Sequence, residues 1–91
     1  MRFTVAGRYW RLKWSRWLKA HWGLCYLDRR EIVIRSNLNE LNTLDTVIHE
    51  LLHACDTDSL LSEEWVSRTG TDIARVLYRL GYRLDPEAKR R

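Results

Sequence analysis

Residues 42–55 read NTLDTVIHELLHAC, and this stretch decides the fold. Leu44, Val47, Ile48, Leu51 and Cys55 recur at helical spacing and give the segment one apolar face. Asn42 is a natural cap, with Asp45 at the third helical position facing the N-terminal dipole. Upstream the period is two. Trp10, Leu12 and Trp14 alternate with Arg11 and Lys13, the pattern of a half-buried strand, and Phe3 to Val5 pairs with it across Ala6-Gly7. Ser15 to His21 reads as a loop or a single helical turn. A second hairpin follows: Leu24 to Leu27, a turn at Asp28-Arg29-Arg30, then the β-branched run Ile32-Val33-Ile34. Downstream, Asp56-Thr57-Asp58-Ser59 breaks the helix. A last helix is expected from the cap Ser62 to a stop at Gly81, with Glu63 and Glu64 in its first turn. Its inner face is Val66, Gly70, Ile73, Ala74, Leu77 and Leu80. The expected class is α+β, a small antiparallel sheet of two hairpins followed by two helices. Residues 1–85 form one domain, and 86–91 a charged, frayed tail.

Composition agrees with one small domain. The chain has 91 residues, 45% of them apolar, with five Trp, four Gly and one Pro, which excludes disorder and low-complexity repeats. A domain of this size buries only about 60% of its unfolded surface, so a metal or a partner has a stabilising role to fill. Cys25 and Cys55 are the only cysteines, and the opening MRFTVAGRYW lacks an apolar core of the secretory kind. A reduced cytoplasmic protein is therefore expected, and no apolar run is long enough to span a bilayer. A monomer or weak homodimer is expected. Charge is segregated: Lys and Arg outnumber Asp and Glu 9 to 2 in residues 1–35, are outnumbered 8 to 1 in residues 36–72, and lead again 6 to 2 in residues 73–91. An acidic middle in a basic frame suits a cation site, and also any internally paired surface.

The sharp feature is His49-Glu50-Leu51-Leu52-His53, an HExxH on a helix. Histidines at i and i+4 share a face one turn apart, so both imidazoles reach one ion, and the Glu after the first is placed to take a proton from water on that ion. On a helical wheel His53 lies about 40° from His49, on the side opposite the apolar face. A catalytic zinc takes three protein ligands and keeps a fourth position open. Glu63 is the favoured third ligand because it points inward at the margin of the last helix, whereas Glu64, the alternative, points away. His21 and Asp56 are weaker candidates, Asp56 fitting better as a loop residue at the helix end.

The HExxH helix followed by an acidic helix N-terminus resembles the zincin metallopeptidases, in particular very small gluzincin-like members. The hairpin Gly23 to Arg35 is similar to the short β-element of minimal zincins, and the resemblance covers residues 23–81. It implies zinc on His49, His53 and a downstream Glu, with Glu50 as general base. Larger gluzincins carry the third ligand in an Asn-Glu-x-x-Ser-Asp pattern. The stretch Ser62-Glu63-Glu64-Trp65-Val66-Ser67 keeps only the Glu, which leaves Glu63 and Glu64 both open. The implied chemistry is peptide-bond hydrolysis on a peptide or protein substrate, held by strand addition to an edge of the Leu24–Ile34 hairpin. Tyr78 and Tyr82 are candidate donors to the developing oxyanion. The alternative function is a non-catalytic, zinc-stabilised module that binds nucleic acid or protein through the basic, Trp-rich stretch Arg8 to Trp17. The alternation there favours Trp10, Leu12 and Trp14 as core, and leaves Trp17 or Trp22 to line a cleft.

Overall fold

The computed structural model describes residues 1–90, so Arg91, the end of the expected tail, lies outside the described residues. Strands β1 (Arg2–Val5), β2 (Arg8–Ser15), β3 (Gly23–Tyr26) and β4 (Glu31–Arg35) precede helices α1 (Glu40–Cys55) and α2 (Glu63–Arg79) and a short 3₁₀ turn (Ala88–Arg90). The fold is α+β, and both hairpins form. Ala6 and Gly7 take positive φ at the first turn, the twist that a two-residue hairpin loop requires. What joins the hairpins differs from the expected antiparallel sheet. β2 and β4 run parallel, Leu12 opposite Ile32 and Trp14 opposite Ile34, so the sheet is mixed, in the order β1-β2-β4-β3. The reason is burial. Ile32 and Ile34 are fully inaccessible, and a central position between two neighbours hides β4 best. Residues 16–30 make the crossover that a parallel pair needs, with β3 itself as part of the return. Of the stretch Ser15 to His21, Ser15 ends β2 and the rest is a loop rather than a helical turn, pinned by Arg35, which donates to the carbonyls of Leu18 (2.8 Å) and Lys19 (2.7 Å).

The sheet turns one face to α1. Trp10, Leu12, Ile32, Ile34 and Ala54 form the core, with Phe3, Val5, Trp14, Cys25, Val47 and Leu51 packed around it. The expected inward face of β2 is the observed one. α1 starts earlier than expected: Asn39, not Asn42, is the cap, and its Oδ1 accepts the Asn42 N–H at 2.8 Å. Asp45 is thereby displaced from the first turn and accepts instead from Thr71 Oγ1 of α2, at 3.0 Å. The most buried positions on α1 are Thr43, Thr46, Glu50 and Ala54, while Cys55 is exposed and the rest of the expected apolar face is half-buried. The helix is covered on two sides, by β3 and β4 on one and α2 on the other, and its innermost stripe is not its most apolar one.

α2 runs from the Ser62 cap to Gly81, as expected. Gly81 (φ +100°) closes it in a Schellman motif, with the N–H of Gly81 on the Tyr78 carbonyl and that of Tyr82 on Leu77. Val66, Gly70 and Ala74 are buried against α1, but Ile73 and Leu80 are exposed, contrary to the expected inner face. Small residues let the two helices approach closely, which narrows the contact arc. The tail is not frayed throughout: Lys89 donates to the Ser36 carbonyl and lies over the Trp14 ring. Among the described residues no helix is long and apolar enough to cross a membrane.

Candidate metal centre

His49 and His53 sit one turn apart in the second half of α1, rings edge to face with centroids 5.0 Å apart. α2 returns antiparallel to α1, and its first turn carries Glu63 to the pair. One carboxylate oxygen lies 2.7 Å from His49 Nε2 and the other 2.8 Å from His53 Nε2. The connection that sets this position is tied by Asp56, whose carboxylate accepts from the Leu60 N–H (2.9 Å) and the Leu61 N–H (2.8 Å). Asp56 thus serves this loop, with both carboxylate oxygens engaged by its backbone. Glu64 stands exposed beside Glu63 and joins neither imidazole.

Glu50 approaches the same point from within α1. Ligand atoms of His49, Glu50 and His53 all lie within 4.8 Å of one another. The two carboxylates differ in setting. Glu63 has a side chain 66% exposed, free to adjust, whereas Glu50 is buried and backed by Gly23 at the start of β3. A Cβ on Gly23 would come within 2.7 Å of Thr46 Cγ2 and 3.2 Å of Glu50 Oε2, so only glycine admits this approach of sheet to helix. Burial pushes the Glu50 carboxyl above its ordinary pKa, the charges of His49 and His53 pull it back, Glu63 raises it again and His21 lowers it.

The donor set fits zinc: two imidazole nitrogens and one carboxylate, all converging, with a cleft on the open side. The present contacts are hydrogen-bond lengths, and an ion held by His49, His53 and Glu63 would replace them, which asks the Glu63 carboxylate to shift. Its exposure permits that.

The cleft, about 410 Å³, has His49, Glu50, His53 and Glu63 on one wall and His21, Trp22, Gly23, Leu24, Cys25 and Leu27 on the other. That second wall is β3, an edge strand, together with its flanking loops. His21, set aside as a weak ligand candidate, is therefore a cleft residue. Its place two residues before Gly23 carried the signal, but only once Gly23 is known to touch Glu50. Trp22 lines the cleft, and Trp17 stands outside it. Cys25 is a free thiol, pushed up to about 12 by burial and by the Glu50 charge, and is no nucleophile at neutral pH.

Tyr78 and Tyr82 are not brought to the site. Fifteen helical residues separate Tyr78 from Glu63, on the order of 22 Å along α2. Arg83 covers the Tyr78 ring at 3.5 Å, and Tyr82 borders a separate groove with Leu44, Val47 and Leu77. The antiparallel course of α2 is the cause, since it carries the helix C-terminus away from the histidines. Comparison of the chain with protein-family models, with curated proteins and with solved structures found no match.

Proposed function

We propose that this chain is a zinc-dependent peptidase of the minimal zincin type, with His49, His53 and Glu63 holding the metal and Glu50 as general base. The observation that carries the reading is the double bridge from one Glu63 carboxylate to both imidazole Nε2 atoms, beside a second, buried carboxylate. Zinc bound there supplies Lewis acidity, polarising a substrate carbonyl and acidifying a water. The chain's own residues do the rest. Glu50, its affinity for a proton raised by burial, accepts the proton from water and returns it to the leaving amine. The free edge of β3 offers unpaired backbone groups to an extended peptide lying along the cleft. His21, across the cleft from Glu50, takes the part of carbonyl-oxygen donor for which Tyr78 and Tyr82 are misplaced.

The test is cleavage of a peptide library by the zinc-loaded protein and by Glu50→Gln. A general base contributes roughly 10²–10⁴-fold, so the variant should lose at least about a hundredfold in rate while keeping its zinc. Wild-type protein that holds zinc and cleaves nothing, or a Glu50→Gln variant as fast as wild type, contradicts the reading and leaves a structural zinc.

A further inference from the structure

The face of the sheet turned away from α1 is not used by the metal cleft, and no helix packs on it among the described residues. Alternation sends Tyr9, Arg11 and Lys13 of β2 to that face, all exposed, while Trp10 and Leu12 go inward. Glu31 in the central strand is the carboxylate there. Lys13, Arg11 and Arg29 converge on it at 3.2, 3.6 and 3.9 Å, three cations on one anion. Arg11 and Lys13 keep side chains 60% and 53% exposed, so the surplus charge faces water. Across the β1–β2 pair Arg2 stands directly opposite Arg11, a like-charge juxtaposition that costs stability in a bare protein. Arg29 also stacks over the Tyr26 ring at 4.0 Å, and Tyr9 is 75% exposed.

We propose that this outer sheet face binds single-stranded nucleic acid. Phosphates offset the Arg2–Arg11 repulsion and the surplus positive charge, while Tyr9 and the Arg29-covered Tyr26 supply flat surfaces for bases. Arg11 and Lys13, two residues apart on one strand, are spaced by about 6.8 Å, a step that an extended sugar-phosphate chain can follow. The face has no broad apolar stripe to enter a bilayer, and its rings favour bases over acidic side chains as partners. The inward register that puts Trp10 in the core, as the alternation predicts, is the one that brings Tyr9 out to this face. This surface is separate from the metal cleft and does not depend on it.

The experiment is fluorescence anisotropy of a labelled oligothymidylate of about 20 nucleotides, titrated with the full chain at several salt concentrations. Each phosphate contact contributes about 0.7 to the log–log salt slope, so the wild type should show a slope near −2, and Arg11→Ala/Lys13→Ala should lose about 1.4 of it and about tenfold in affinity. Arg2→Gln, which leaves the Glu31 cluster intact, should lose about 0.7 of the slope. Tyr9→Ala should weaken binding at least about fivefold, with Tyr9→Phe within about twofold of wild type. Absence of binding at low salt, or variants that bind like the wild type, overturns the proposal. Tighter binding to phosphatidylserine vesicles or to polyglutamate overturns it in favour of a lipid or acidic-protein surface. Zinc content and peptide cleavage should be unchanged in Arg11→Ala/Lys13→Ala, so failure here and failure of the peptidase reading are separately visible.

Discussion

Gly23 is the residue at which the sheet meets the HExxH helix, and the cost of any side chain there is steric. Gly23→Ala should destabilise the protein by about 1–3 kcal/mol in urea unfolding, and Gly23→Ala/Thr46→Ser should recover part of that loss because the nearest contact is the Thr46 methyl. Equal stability of Gly23→Ala and wild type would mean that β3 does not press on Glu50. Cys25, on the same wall, has a thiol pushed up to about 12, so almost none of it is thiolate at pH 8. Alkylation at pH 8 followed by mass spectrometry should modify exposed Cys55 well before Cys25, and Glu50→Gln should narrow the gap by removing a negative charge near Cys25. Rapid modification of Cys25 in wild type contradicts that placement. His49, Glu50 and His53 were legible as a constellation because helical geometry alone puts them together. That Glu63, rather than Glu64, turns toward the histidines was legible as an angle on a wheel. His21 and the fit of Gly23 were not, because both depend on contacts between segments more than twenty residues apart.

At the scale of elements, caps and stops were the readable part, and the one misreading is instructive. Asn39 and Asn42 both precede the apolar run, and either could cap. The chain uses the earlier one, which adds a turn and frees Asp45 to bond with Thr71. Asn39→Ala should therefore cost about 1 kcal/mol in denaturant unfolding, and Asn42→Ala clearly less. The reverse ranking would place the helix start where the sequence pattern alone puts it. α2 touches mainly α1, through Val66, Gly70 and Ala74, which explains why its wider apolar arc, including Ile73 and Leu80, remains exposed. Periodicity gives the direction of a helix's apolar side but not how much of that side a neighbour covers. The misplaced Tyr78 and Tyr82 follow from the same gap, since the direction in which α2 returns is a packing outcome.

Over the whole molecule, the charge blocks seen along the chain become two faces and a cleft. The basic N-terminal third forms the sheet and leaves Arg2, Arg11, Lys13 and Arg29 on its outer side, while the acidic middle supplies Glu50 and Glu63 to the cleft behind it. A period-two pattern identified β2 and its inward face, and turn signals with a β-branched run marked the other strands. The parallel β2–β4 join was not legible, because strand neighbours are chosen by burial of Ile32 and Ile34 in the assembled sheet. Glu63 ties α2 to the two histidines of α1, so an ion held by these three residues would couple its binding to the docking of α2. The central claim is that His49, His53 and Glu63 form one zinc site, and its most direct test is zinc per chain, measured by elemental analysis in wild type, Glu63→Ala and Glu64→Ala after equal dialysis. One zinc in wild type and in Glu64→Ala, with a loss in Glu63→Ala, is the predicted result. A folded wild type that takes up no zinc, or a Glu63→Ala variant that keeps it as firmly as wild type, would contradict the claim.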